Sequence, residues 1–483
     1  MKIPKEIKKI TKNLEKEGFE AFVVGGCVRD GLLKKKPKDW DIASNATPEE
    51  VREIFENSYS NNDFGTVTVL TKSEDPTLKE VEITPYRTEE DYRDGRHPEK
   101  VEWAKTIEED LSRRDFTINA LAYRPAKDKL VDLFDGKKDL KEEIIRAVGD
   151  PEERFGEDAL RMMRAARFAT VLEFKIEKET KEAIKENSSL LKDISNERIK
   201  EELLKIIMSK NAATGIEILR RLKLLKHIIP ELEEGYEVAQ NKHHVYDCYE
   251  HSILSLKYAA ENDYNMHVRL AALLHDVGKP EVKEGEGEEA TFYNHEVVGA
   301  KTAKKILKRL KFSNKDIKKI VKLVRYHLFY YNVGEVGESS VRRLVRNVGK
   351  ENIDDLIKVR KADRIGSGVP KAEPYKLRHL QYVIEKVSRD PISTEMLKID
   401  GNEVMEILDI DPGPAIGNIL TVLLGKVLAD PDRNNKQFLV REVKKLGEMD
   451  ESKLKELAEA SRKEIERIET KRDKMTKKKY WLT

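Results

Sequence analysis

Apolar residues in the first 140 positions recur in short runs bounded by glycines and polar turns, the pattern of strands in a mixed α/β unit. Gly18–Gly26 (GFEAFVVGG) reads as a short buried strand entering a glycine turn. Asp39–Ser44 (DWDIAS), Phe64–Leu70 (FGTVTVL) and Glu80–Tyr86 (EVEITPY) read as further strands. Thr47, Pro48 and Glu50 predict a helix start, with Thr47 as cap, Pro48 at the first helical position and Glu50 closing a capping box. Arg87–Pro98 (RTEEDYRDGRHP) has no period and reads as a mobile loop. From about Glu142 the spacing turns helical, over Glu157–Ala169, Glu197–Met208 and Gly215–Leu225. The expected class is therefore α+β, an α/β head followed by helices. The Gly- and Asp-rich Asp132–Leu140 marks a hinge, and the composition shifts again near Pro230–Gly235. The expected divisions are 1–140, 141–228, 229–390 and 391–483.

Composition narrows the class. The chain has 483 residues, enough for about three domains. Its net charge of +2 gives no global signal for nucleic acid, so any such surface must be a local patch. With 39% hydrophobic residues it can fill several cores despite 38% charged ones, which excludes wholesale disorder. No apolar run approaches a membrane span, and the start (MKIPKEIKKI) lacks the apolar stretch of a signal peptide. Two cysteines, Cys27 and Cys248, exclude a disulfide scaffold and point to a reducing cytoplasm.

Candidate chemistry begins at Asp39 and Asp41. Two apart on a strand, they share one face, with Trp40 and Ile42 on the other. Two hard oxygen donors suit Mg²⁺, and a pair of such ions can activate a hydroxyl and stabilise leaving pyrophosphate. Upstream, Gly25-Gly26 opens a helix whose backbone N–H groups suit phosphate, and Arg29 adds a charged fork. Either motif alone is commonly an exposed strand end or an ordinary turn; their combination is far more specific.

GGCVRDGLL…DWDIAS resembles the signature of polymerase-β-like nucleotidyltransferases, within the tRNA nucleotidyltransferase and poly(A) polymerase family, bacterial class II. DLSRRDFTINALAY (110–123), DLFDGKKDL (132–140) and GEDALRMMRAARFA (156–169) agree with it in order. The resemblance implies a polymerase-β-like head, a helical neck or body, and a helical tail with tRNA contacts. It assigns Mg²⁺ and catalysis to Asp39 and Asp41, and nucleotide binding to Gly26, Arg29, Arg114, Asp158, Arg161, Arg164 and Arg167. Glu82 is a candidate third carboxylate by strand alternation, or a residue of a solvated strand face. Asp158 and Arg161 are three apart, so a helix would set them side by side. A carboxylate accepts from an exocyclic amine and a guanidinium donates to a ring nitrogen, which fits cytosine and adenine and rejects uracil and guanine. An intrahelical salt bridge is the competing reading.

The implied reaction is template-independent addition of C, C and A to the 3′ end of tRNA from CTP and ATP. The charged segment with Glu89, Tyr92, Arg93, Asp94, Arg96 and His97 resembles the flexible loop of full CCA-adding enzymes. The Arg-Arg-Phe segment typical of poly(A) members is missing between Asp41 and Arg114. A poly(A) polymerase, or a partial CC- or A-adding enzyme, is the alternative within the family.

Histidines cluster between His227 and His379. His251, the pair His275-Asp276, His295, His327 and Asp363 lie in helical sequence, and the pair closes the apolar helix RLAALLHDVGKP (269–280). Adjacent helical residues point about 100° apart, so both reach one ion only near a helix end. Imidazoles with carboxylates suit a divalent transition metal or Mg²⁺ and can lower the pKa of a bound water. The order H…HD…H…H…D resembles the HD phosphohydrolase superfamily. That implies a divalent metal of unassigned identity on His251, His275, Asp276, His327 and Asp363, and activities on 2′,3′-cyclic and 2′-phosphates are reported for some members of such an arrangement. His243, His244 and Asp247 are candidates for supporting the ligands. A reading of a different class is a metal-dependent phosphohydrolase whose N-terminal half only binds RNA. Asp411–Leu420 (DPGPAIGNIL) reads as a helix start that resembles the family's tail, and the basic end from Lys471 to Lys479 as a solvated, frayed terminus.

Overall fold

The computed structural model describes residues 1–60, 65–92, 98–240, 245–286, 289–388 and 392–482. The chain forms two compact units, Met1–Leu328 with Asp354–Pro370, and Phe329–Ile353 with Lys371–Thr483.

The first unit opens on a seven-stranded mixed sheet. Its strands are β1 (Ala21–Val24), β2 (Asp41–Ser44), β3 (Ser58–Ser60), β4 (Val67–Leu70), β5 (Glu80–Pro85), β8 (Leu121–Arg124) and β9 (Lys129–Asp132), while β6 (Arg87–Tyr92) and β7 (Pro98–Trp103) pair separately. The order is β3-β4-β5-β2-β1-β8-β9. All four residues of β1 are buried, as its continuous apolar run requires. Strand β2 runs antiparallel to β1 and parallel to β5, with Asp41 opposite Glu82 and Ile42 opposite Ile83. The capping box forms as expected: the Thr47 hydroxyl accepts from the Glu50 N–H at the start of the helix Pro48–Ile54.

Two expectations need correction. The segment after Arg87 is an antiparallel hairpin, paired from Arg87↔Trp103 to Tyr92↔Pro98. Its strand formers Thr88, Tyr92, Val101 and Trp103 are diluted by charges, so no apolar face signalled it. Arg93, Asp94, Arg96 and His97 lie outside the described residues. The helical run from Glu157 to Ala169 breaks in two: Pro151–Glu157 ends and Leu160–Leu172 begins. Asp158 between them is extended, with φ −146° and ψ 101°, and its carboxylate accepts the Leu160 N–H at 3.0 Å. Aspartate competes for backbone N–H groups in this way, which favours helix starts over interiors.

Helix Asn196–Ile207 packs on Leu160–Leu172. Further along, helices Cys248–Glu261 and Met266–Leu274 pack together, as do His295–Arg309 and Asn314–Tyr326. A Cβ at Gly278 would lie 2.4 Å from the Gly299 nitrogen and 2.6 Å from the His295 carbonyl oxygen. Only glycine permits that approach, which brings His295 beside the turn that follows His275-Asp276.

The second unit is helical. Its core gathers Val404, Ile419, Leu423, Leu439, Val443, Leu446, Leu454 and Ala458, and helix Glu451–Lys479 packs on Pro414–Ala429. The helix expected near Asp411–Leu420 starts at Pro414. The basic end is a continuous helix to Lys479, not a frayed terminus, and Lys479 pairs with Glu385 at 2.7 Å. Among the described residues no helix is long and apolar enough to cross a membrane.

Candidate active site

Gly25 and Gly26 end β1 and open the helix Gly26–Leu32. Gly25 has φ +71° and ψ −129°, a region nearly closed to other residues, and a Cβ there would meet Arg114 Nη1 at 2.8 Å. Arg114 reaches this point because Asp110, 1% exposed, accepts from it at 2.9 Å and from Arg113 at 2.7 Å. Arg29 donates to Asn119 Oδ1 at 2.7 Å and pairs with Asp30 at 2.8 Å.

The cavity beside these residues has a volume of about 1000 Å³, and Asp39, Asp41 and Glu82 line it together with Gly26, Arg29, Arg114, Asp158, Arg161, Arg164 and Arg167. Trp40 and Ile42 are buried, but the strand begins only at Asp41, so Asp39 reaches the cavity from the bend before it rather than from the expected strand. Burial, then the charges of Asp39 and Glu82, push the Asp41 carboxyl up to about 7 against the pull of Arg114. A buried carboxylate raised in this way by two neighbouring carboxylates is relieved by a cation, and hard oxygen donors fit Mg²⁺.

Across the cavity, Arg29, Arg164 and Arg167 lie 5.2, 5.5 and 4.0 Å from the Phe168 ring centroid. Arg164 also pairs with Asp115 at 2.5 Å. Burial would raise the Asp115 carboxyl, but the Arg164 charge, the Asn119 amide and the Phe116 N–H hold it below the usual carboxylate range. Asp158 and Arg161 do not pair with each other through their side chains. Arg161 pairs with Glu157 and donates to the Arg154 and Arg113 carbonyl oxygens at 3.0 and 3.1 Å. Asp158 pairs with Arg198 at 2.8 Å. Sequence reasoning missed Arg198, and also Glu202, which binds Arg167 at 2.6 Å and Lys205 at 2.9 Å. The signal was their i, i+4, i+7 spacing, a single face of helix Asn196–Ile207.

A second cluster surrounds Asp276, which lies just past the end of helix Met266–Leu274. Its Oδ2 is 3.2 Å from His251 Nε2, 3.3 Å from His275 Nε2 and 2.6 Å from Lys279 Nζ; its Oδ1 is 3.4 Å from His295 and 3.5 Å from His327. Asp363 stands 3.3 Å from His251 and 3.7 Å from His275. Nδ1 of His275, His295 and His327 lies 2.7 to 2.8 Å from the carbonyl oxygen three residues earlier, at Ala272, Phe292 and Val324. Donation there directs each Nε2 into the cluster, where the neutral imidazole can present its lone pair to an ion, the arrangement of metal-binding histidines. His251, His275 and Asp363, and likewise His275, Asp276 and His327, bring ligand atoms within 4.8 Å of one another. Burial alone would lower His275; Asp276 and Asp363 overrule it and hold it up to about 10. Burial would raise Asp276, yet the charges of His275 and Lys279 hold it far below its ordinary range. Such a buried donor set of imidazoles and carboxylates fits a divalent ion. The cluster opens into a cavity of about 450 Å³ also lined by Lys279, Arg360 and Arg364. Asp247 caps helix Cys248–Glu261, the helix that bears His251, by accepting the Glu250 N–H at 2.7 Å, and also accepts the Glu237 N–H at 2.9 Å. His243 and His244 lie outside the described residues.

The sheet with its carboxylate-lined cavity defines a polymerase-β-like nucleotidyltransferase head followed by a helical body and an HD domain. Family models match in the same order: the poly(A) polymerase head domain over residues 21–146, the probable RNA- and SrmB-binding site of polymerase A over 173–235, and the HD domain over 248–367. Residues 21–146 thus resemble the head of this nucleotidyltransferase class, and residues 248–367 an HD domain. The chain is 52% identical to a CCA-adding enzyme of Ligilactobacillus salivarius over 229 residues, 47% of this chain and 55% of that protein. It is 47% identical to one of Enterococcus faecalis over 218 residues, 44% of this chain and 52% of that protein. The chain thus spans about half the length of the curated relatives it matches. A crystal structure of the Bacillus stearothermophilus CCA-adding enzyme in complex with CTP aligns with a TM-score of 0.59 at 25% identity, over 92% of this chain and 98% of that one.

Proposed function

We propose that this chain adds C, C and A to the 3′ end of tRNA from CTP and ATP without a nucleic-acid template. The observation that carries the reading is the convergence of Asp39, Asp41 and Glu82 with Gly26, Arg29, Asp158 and Arg161 in one cavity. Relatives named CCA-adding enzymes support it. Asp39 and Asp41, with Glu82, would hold Mg²⁺, which when bound neutralises charge on the reacting phosphate and makes the attacking hydroxyl more acidic. The tRNA 3′-hydroxyl attacks the α-phosphate, and pyrophosphate leaves. Arg29, Arg114, Arg164 and Arg167 offer guanidinium forks to the nucleotide's anionic groups. Asp158 accepts from the exocyclic amine and Arg161 donates to the ring nitrogen, which leaves uracil and guanine with unpaired buried groups. Residues 1–140 act as the nucleotidyltransferase head, 141–228 as the neck and body, 229–390 as the metal-dependent HD domain and 391–483 as the tRNA-contacting tail. The buried histidine–aspartate cluster supports a second activity, hydrolysis of a phosphate ester.

The test is incubation of tRNA lacking its 3′ CCA with Mg²⁺ and each nucleotide singly and in mixtures, followed by sequencing of the products. CTP alone yields two C additions, and CTP with ATP completes CCA. Long A tails with ATP alone identify a poly(A) polymerase instead. Asp39→Ala abolishes addition in a folded protein.

A further inference from the structure

We infer that Arg198 is the positioning residue that sets the Asp158 carboxylate for base reading, a role that rests on the nucleotide selectivity proposed above. Asp158 stands at the joint between two helices, where its backbone is extended and no helical packing fixes its rotamer. The Leu160 N–H holds one oxygen at 3.0 Å. A single bond of that kind leaves the carboxylate plane free to turn. Arg198 removes the freedom: Nη2 donates to Oδ2 at 2.8 Å and Nη1 to Oδ1 at 3.3 Å, so the guanidinium fork spans both oxygens. A carboxylate has about four acceptor sites, and these three bonds leave room for an exocyclic amine.

Arg161, the other half of the base-reading pair, is fixed separately by Glu157 and two backbone carbonyls. Neither member of the pair orients the other, so selectivity depends on what holds each from outside. For Asp158 that support comes from helix Asn196–Ile207, which Ile199, Leu203 and Ile206 anchor in the core and which also fixes Arg167 through Glu202. Arg198 is itself 25% exposed, so its loss removes an orienting contact and little packing. A carboxylate able to swing gives cytosine a poorer acceptor and withdraws its repulsion from the uracil carbonyl. The two effects move the CTP-to-UTP ratio in the same direction.

The decisive measurement is kcat/KM for CTP and UTP on tRNA ending before CCA, in wild type, Arg198→Ala, Arg198→Lys, Asp158→Ala and the Asp158→Ala/Arg198→Ala double variant. The CTP:UTP ratio in Arg198→Ala should fall roughly tenfold, the size of one lost charged hydrogen bond. Lysine keeps the charge but not the fork, so Arg198→Lys should lie between the two. In the Asp158→Ala background the Arg198 change should leave the ratio where it is. An equal loss of CTP and UTP rates with the ratio intact would make Arg198 a structural tie and overturn the inference. So would a further fall of the ratio in the Asp158→Ala background, which would mean that Arg198 acts by itself. If circular dichroism shows Arg198→Ala unfolded, the lysine variant decides alone, and a wild-type ratio there overturns the inference. A wild type that adds neither C nor A removes the proposed function and the inference with it. A selective wild type, a relaxed Asp158→Ala and unaltered Arg198 variants remove only the inference.

Discussion

Two side-chain environments make claims that can be measured directly. Gly25 combines a backbone region open to glycine with an Arg114 guanidinium where a Cβ would stand. Gly25→Ala should therefore destabilise the head by about 1–3 kcal/mol and displace Arg114, seen as a lower first thermal transition and weaker nucleotide binding. Asp115 makes a claim about pH. Arg164 holds its folded-state pKa below the unfolded value of about 3.8. The stabilisation is thus fully present above that unfolded value and is lost as pH falls through the lower folded one. Asp115→Asn should cost about 3 kcal/mol at pH 7, because it leaves Arg164 without its partner. The gap between variant and wild type in urea unfolding should narrow below about pH 4. A gap that stays constant down to pH 3 would show that the ion pair adds nothing to stability.

The hairpin β6–β7 carries the charged segment that resembles the flexible loop of full CCA-adding enzymes. Replacing residues 88–102 by a short turn should spare the two C additions and impair addition of A by tenfold or more, read by product length with CTP alone and with both nucleotides. Equal loss of C and A addition would assign the hairpin to general binding. This hairpin also shows where local pattern runs out. Strands β1, β2, β4 and β5 were legible because they bury apolar residues, and the Thr47 cap because it is a contact three residues long. The hairpin was not, because paired backbones need no apolar face. The break at Asp158 was hidden for a related reason: one carboxylate turning onto the Leu160 N–H leaves the helical spacing on either side undisturbed. The carboxylates and arginines of the site were visible as residue types in order. Their partners Arg198 and Glu202 come from a helix about 40 residues further on, and only tertiary packing could bring them there.

Across the chain, the residues that line the nucleotide cavity lie between Val24 and Ser209, whereas the histidine–aspartate cluster is built from His251 to Asp363. His275→Ala with Asp276→Ala should accordingly abolish metal binding by the HD cluster while C and A incorporation stays within about twofold of wild type, since sites without shared partners act independently. Metal content by elemental analysis and addition assays on the same sample check both halves of the claim. Loss of addition in a folded double variant with normal tRNA affinity would mean that the two sites are energetically coupled.

The path of the chain adds a matter of timing. Residues 329–353 belong to the second compact unit, and the chain then returns to the first with 354–370, the stretch that bears Asp363. Synthesis proceeds from the N-terminus, and domains generally fold in that order as they emerge. Every side chain that lines the nucleotide cavity has been made by Ser209, whereas Asp363 follows about 150 residues later, after a segment of the other unit. A nascent chain halted before that return would hold a whole nucleotide cavity beside an HD cluster still short of a carboxylate.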